Sequence, residues 1–221
     1  MNIGILGSGE VGRTLATSLV ALGHQVVLGS RTPNEGRAAA WVELAGPRGR
    51  AAQHETAARE SEVLINALKG PASLEVIPKL PDSYLAGKIM IDIANDLIFP
   101  GPVPVVNMPQ TDSLAERIQR AAPGLRVVKA LNTMNARVMV APRTLPERHD
   151  LLIAGNDTDA KARVSEFMRD WFGWETVIDL GTLESARGLE AYLGLWIRLR
   201  LHLGTSMFNI HVVTEKEPTD R

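Results

Sequence analysis

Apolar residues recur along this chain in two rhythms. Short runs, at residues 3–6, 25–28, 63–67, 88–93 and 126–130, alternate with stretches where apolar positions return at helical spacing, as Val11, Leu15, Leu19 and Leu22 do. Compact apolar runs bounded by turn residues read as buried strands; the wider spacing reads as one helix face. Their alternation predicts a parallel α/β sheet. Helices are expected over 33–45, 56–59, 73–79, 113–121 and 157–172, with a short strand at 50–53. Two late strands, at 151–154 and 176–180, should extend the same sheet. Residues 97–112 carry Pro100, Pro102, Pro104 and Pro109 and should form an irregular connection, because proline fixes its own φ and disfavours helix just before it. Gly181-Thr182 should open a long C-terminal helix, Thr being a preferred N-cap. The expected fold is α/β and Rossmann-like: a doubly wound, mainly parallel sheet of about eight strands with a C-terminal helical segment.

The first strand runs into Gly7-Ser8-Gly9-Glu10-Val11-Gly12, and the second ends at Gly29-Ser30-Arg31. Glycines at this spacing, between strand and helix, let the backbone approach a pyrophosphate at the helix N-terminus. Sites for the plain dinucleotide usually end the second strand with a carboxylate, which would repel a 2′-phosphate. Ser30 and Arg31 instead offer a hydroxyl and a guanidinium able to make two hydrogen bonds to it. The implied cofactor is NADP(H).

Composition narrows the remaining classes. Lys plus Arg total 24 against 25 Asp plus Glu, a net charge of −1 without a basic block, so neither a nucleic acid nor a membrane surface is an expected partner. There is no cysteine, which removes disulfides, thiolate nucleophiles and Cys-ligated metals. The five histidines are scattered and suggest no metal site. A basic leader and a spanning stretch are both lacking, and a cytoplasmic protein is expected. Residues 1–180 should form the NADP-binding unit, 181–213 a helical segment lining the substrate cleft, and 214–221 a polar tail.

Ligands of doubly wound sheets sit beyond the carboxyl ends of the strands. Ala67, Leu68 and Met134 would wall a nicotinamide with apolar surface there. Asn95 and Asn132 could hydrogen-bond the carboxamide or a substrate, or simply close their turns. Sequence signatures of hydrolases are missing, as is a Tyr-x-x-x-Lys pair for protonating a carbonyl. Met134 and Asn132 are therefore expected to act by positioning, which suits direct hydride exchange between bound cofactors.

Together these residues resemble the NADPH-dependent coenzyme F420 reductases and the bacterial dinucleotide-binding proteins grouped with them. The resemblance is carried by Gly7 to Gly12, Leu28-Gly29-Ser30-Arg31, Val127-Val128-Lys129-Ala130-Leu131-Asn132-Thr133, Ser185-Ala186-Arg187-Gly188-Leu189-Glu190 and Met207-Phe208-Asn209-Ile210. It implies hydride transfer between NADP(H) and the deazaflavin F420 as co-substrate. Ser8, Ser30 and Arg31 would hold the 2′-phosphate and its ribose, Met134 would lie against the two rings, and Arg187 would line the deazaflavin cleft. Arg187 has a plainer alternative, pairing with Glu184 or Glu190. Glu35 stands where archaeal members carry a lysine, with Arg37 a possible substitute, and Leu193 and Ala191 replace polar cleft residues. An NADPH reductase of a carbonyl, imine or quinone, or a non-catalytic NADP(H)-binding protein, would share the same dinucleotide residues. Leu189, Leu193, Trp196, Leu199 and Leu203 make an apolar helix surface that is either core or the interface of an expected homodimer.

Overall fold

The computed structural model describes residues 1–215 apart from positions 108 and 110; the expected tail lies, beyond residue 215, outside them. Strand β1 (Asn2–Leu6) leads into helix α1 (Glu10–Ala21), followed by β2 (Gln25–Gly29), α2 (Gly36–Ala45), β3 (Gly49–Ala52), α3 (His54–Arg59) and β4 (Val63–Asn66). After α4 (Gly70–Val76), α5 (Asp82–Leu85) and β5 (Ile89–Asp92), the proline-rich stretch carries a small antiparallel pair, β6 (Leu97–Ile98) and β7 (Val105–Val106). Then come α6 (Leu114–Ala121), β8 (Arg126–Lys129), α7 (Ala136–Val140), β9 (Leu151–Gly155), α8 (Thr158–Phe167), β10 (Val177–Asp179) and α9 (Ala186–Leu203).

The main sheet has eight strands in the order β10-β9-β8-β5-β4-β1-β2-β3. Its connections reverse direction between β1 and β4, the switch point where such sheets open a ligand crevice. Register places Leu6, Asn66, Asp92 and Lys129 side by side at the carboxyl edge. Strand alternation divides the core into two layers. Ile3, Ile5, Leu28, Ile65, Ile91 and Val128 face the α1 side; Leu6, Val27, Leu64, Met90 and Val127 face α3 and α6. Each such side chain contributes about 1.5–3 kcal/mol through burial.

Several boundaries differ from expectation. Helix α2 starts at Gly36 rather than residue 33, and α4 starts at Gly70, inside the expected turn. Leu22, expected on the apolar face of α1, lies just past that helix and is exposed. The late helix widens to a π-turn over Met168–Phe172 and ends at Gly173 with φ +78°. Thr182 precedes a 3-10 turn, Leu183–Ser185, before α9 begins, and its side chain makes no capping bond. Strand β9 extends the sheet as expected but runs antiparallel to β8. Consequently Asp150, just ahead of β9, lies beyond the carboxyl end of β8. On α9, Leu189, Leu193 and Ile197 are buried, whereas Leu195, Leu201 and Leu203 are exposed. None of the helices among the described residues is long and apolar enough to cross a membrane.

Candidate active site

The turn after β1 is shaped by contacts that exclude side chains. Gly7 adopts φ +115° and donates its N–H to Gly29 at 3.0 Å. A Cβ there would stand 2.6 Å from the Ala67 carbonyl oxygen, and one on Gly12 would stand 2.0 Å from the carbonyl oxygen of Gly7. At Gly9, by contrast, a Cβ would meet no protein atom within 4 Å. Gly9 is the N-cap of α1 and supplies no side-chain acceptor to the first-turn N–H groups. An open approach to uncapped donors fits a pyrophosphate. Glu10 and Val11 begin the helix, Glu10 exposed and Val11 packed on the core.

Around the end of β2 the polar groups converge. Ser8 Oγ donates to Ser30 Oγ at 3.2 Å, and Ser30 Oγ accepts the Thr32 N–H at 3.2 Å. Ser30 is buried and Arg31 exposed; the Arg31 carbonyl is held by Gln53 Nε2 at 3.2 Å. His54 lies beneath, its ring nitrogen 2.8 Å from where a Gly29 Cβ would be. Burial, helped by the Arg31 charge, lowers the His54 pKa. The strand end therefore presents a hydroxyl pair and one guanidinium with no carboxylate hydrogen-bonded to either serine, a set that fits a 2′-phosphate.

Across the switch point, Ala67 and Leu68 are half-buried, and Leu68 N–H donates to Asn66 Oδ1 at 3.2 Å. Asn95 and Asn132 grip each other: Asn95 Nδ2 donates to the Asn132 carbonyl at 2.9 Å, and Asn132 Nδ2 to Asn95 Oδ1 at 3.0 Å. Asn132 Nδ2 also reaches the Leu189 carbonyl of α9 at 2.9 Å. With 3% exposure and its donors spent inside the protein, Asn132 ties the turn after β8 to α9. Leu131 just before it holds φ +62°, a left-handed conformation costly for a leucine. Met134 follows at 6% exposure, packed in the α1-side core.

Beneath this platform lies a charge cluster that the sequence reading passed over. Lys129 Nζ donates to Asp92 Oδ2 at 2.9 Å, to the Ala94 carbonyl, and pairs with Glu190 Oε1 at 2.9 Å. All three side chains are at most 1% exposed. Asp92 Oδ1 accepts Asn66 Nδ2 at 2.7 Å and the Ala94 N–H at 3.3 Å. Glu190 accepts the first N–H groups of α6, from Leu114 at 2.8 Å and Ala115 at 3.1 Å. Burial alone would lower the Lys129 pKa; Asp92 and Glu190 outweigh it and hold the pKa above the ordinary lysine range. Lys129 and Glu190 lie in separate motif stretches, in β8 and in α9, and no local spacing signals their contact.

Arg187 forms a fork on Glu116 of α6, at 2.9 and 2.7 Å, and also contacts Glu184 at 2.8 Å. Of the two pairings considered for it, Glu184 is present, whereas Glu190 faces inward to Lys129. Burial would raise the Glu116 pKa, but hydrogen bonds from Arg187 and Ser113 bring it below the usual range. After α9 the chain turns back along the same edge. Ser206 Oγ accepts Asn135 Nδ2 at 2.8 Å, Asn209 Nδ2 donates to the Asp150 carbonyl at 3.0 Å, and Asp150 Oδ2 takes the Val212 N–H at 2.7 Å. A cavity of about 830 Å³ lies elsewhere, between β10 and α8, where Lys161 and Asp179 pair at 2.8 Å. Among the described residues no His, Asp and Glu group could hold a metal ion.

Residues 2–96 match the family model for NADP oxidoreductase, coenzyme F420-dependent. The F420-dependent NADP reductase of Methanothermobacter marburgensis is 31% identical over 212 residues, 91% of this chain and 93% of that protein. The metalloreductase STEAP3 of Rattus norvegicus is 36% identical over 190 residues, 86% of this chain; the chain spans only 36% of that protein's length. A crystal structure from Arthrobacter sp. FB24, assigned to the F420-dependent NADP reductases, superposes with a TM-score of 0.91 at 40% identity, covering 96% of this chain and 99% of that one. A reductive aminase from Aspergillus terreus in complex with NADPH shares the fold at 21% identity and TM-score 0.65, over 92% of this chain and 63% of that one.

Proposed function

Because this chain belongs to the F420-dependent NADP reductase family, we propose that it moves a hydride between NADP(H) and the deazaflavin coenzyme F420. As an NADP-dependent oxidoreductase it needs two things from its own residues: a grip on the dinucleotide and a fixed place for the acceptor. The observation that carries the acceptor is the identity with an F420-dependent reductase over nearly the whole of both chains.

Within this proposal each residue takes a role that its place at the strand ends supports. Gly7, Ser8, Gly9, Glu10, Val11 and Gly12 hold the pyrophosphate through backbone groups and an uncapped helix end. Ser8, Ser30 and Arg31 take the 2′-phosphate. Ala67, Leu68 and Asn95 flank the nicotinamide side, Asn132 positions the turn that carries Met134, and Met134 meets the paired rings. Arg187, braced by Glu116, orients the deazaflavin from α9. Bound NADPH supplies the hydride, and the protein excludes water and fixes ring distance. The unit of 1–180 binds the dinucleotide, and 181–213 closes the acceptor side. A cytoplasmic homodimer belongs to the same proposal.

Anaerobic assays with NADPH and F420, followed in both directions by the deazaflavin absorbance, test this. Turnover in either direction is expected; NADPH binding with no exchange in either direction would refute the acceptor. The match to STEAP3, with Leu193 and Ala191 in place of polar cleft residues, favours one second reading, a different small acceptor. NADPH consumption with carbonyl, imine and quinone substrates but not F420 would select it, and tight NADPH binding without any turnover would point to a binding protein.

A further inference from the structure

We propose that the buried cluster of Asp92, Lys129 and Glu190 acts as a fixed negative charge that favours the oxidised nicotinamide over the reduced one. The inference rests on the NADP(H) reading above and goes beyond it, since it concerns which redox form the protein prefers. The bonding fixes the charges. Each carboxylate only accepts: Asp92 from Asn66, Ala94 and Lys129, Glu190 from Leu114, Ala115 and Lys129. The ammonium spends its three hydrogens on Asp92, Glu190 and the Ala94 carbonyl. One cation therefore stands against two anions. The α6 N-terminus facing Glu190 offsets roughly half a charge, leaving about half a negative charge in place.

Position gives that charge its target. Asn66, Asp92 and Lys129 lie side by side at the carboxyl ends of β4, β5 and β8. That is the half of the sheet opposite Ser30 and Arg31 across the switch point, where a dinucleotide anchored by its adenosine end delivers its other ring. The residues that follow these strands are the platform itself: Ala67 and Leu68, Ala94 and Asn95, Leu131 to Met134. All three charged groups are sealed from water, so solvent screens them poorly. The oxidised nicotinamide is cationic and the reduced ring neutral, so only the oxidised form gains from the cluster. By linkage, a protein that binds NADP+ relatively better makes its bound NADPH a stronger hydride donor.

The test is direct titration of NADP+ and of NADPH, by calorimetry at fixed ionic strength, for the wild type, Asp92→Asn and Glu190→Gln. Each substitution removes one negative charge and should loosen NADP+ relative to NADPH by about five-fold or more. The paired variant Asp92→Asn/Lys129→Met restores one net negative charge and should return the ratio towards wild type. A merely structural role would weaken both ligands equally and leave the ratio unchanged, which would overturn the inference while NADP(H) binding stands. Failure of the wild type to bind either ligand would overturn both. If the variants fail to fold, the wild-type ratio decides: tighter NADP+ supports the inference, and tighter NADPH overturns it.

Discussion

Replacing Lys129 with methionine should remove a large part of the stability of this fold. Methionine nearly preserves the volume, so the change isolates the ammonium. Its loss leaves Asp92 and Glu190 buried without a counter-charge and the Ala94 carbonyl short of a donor. Breaking a buried pair by deleting one partner costs about 3–5 kcal/mol, and an unsatisfied buried carbonyl adds about 1 kcal/mol. The expected loss is thus about 4–6 kcal/mol, against a total of about 5–15 kcal/mol for a native domain. With a urea m-value near 2.5 kcal/mol per molar, the unfolding midpoint should fall by roughly 2 M. The exposed pair Arg143–Glu175, at 3.2 Å with both side chains at least 70% exposed, is the control; Arg143→Ala should change stability by less than ~0.5 kcal/mol. Urea unfolding followed by circular dichroism measures both variants. A loss below about 1 kcal/mol for Lys129→Met, with an unchanged m-value, would refute the reasoning.

Ser113→Ala should lower stability by about 1 kcal/mol in the same assay, because Ser113 Oγ caps α6 by accepting the Glu116 N–H at 3.1 Å. Asp157 caps α8 and makes a fork with Arg126 at 2.7 Å, which lowers its pKa to about 2, helped by the Ala160 N–H. A folded pKa below the unfolded value means stability present above 3.8 and lost as pH falls towards about 2. Asp157→Asn should flatten that acid limb in thermal melts across this window, and an unaltered limb would count against it. Arg31→Asp should cut the preference for NADP+ over NAD+ by about ten-fold or more in binding titrations, since one charge-assisted fork is replaced by repulsion.

The strands were legible because each is a short apolar run, and the glycine turn because its spacing is local. Residues 97–112 read as irregular because four prolines obscure the two-residue strands paired there. Helices α5 and α7 were not anticipated: at four and five residues they are too short to display a period. The direction of β9 was hidden for a different reason, as an apolar strand has the same pattern either way. At the site, the ends of β1 and β2 were readable as chemistry. The Lys129 cluster was not, because its members come from three elements and the bond that the Leu114 N–H donates to Glu190 spans 76 positions. Arg187 shows the same limit: Glu184, one turn away, was foreseeable, whereas Glu116, 71 positions distant, was not.

The reversed course of β9 also decides where the chain's last described turns come to rest. Asp150, stationed ahead of that strand, receives Val212, and Asn135 holds Ser206 earlier in the same segment, so the polypeptide leaves along the carboxyl end of β8. Any domain or reporter grafted after Val212 would accordingly emerge at the carboxyl edge of the sheet, the edge on which the proposed site lies.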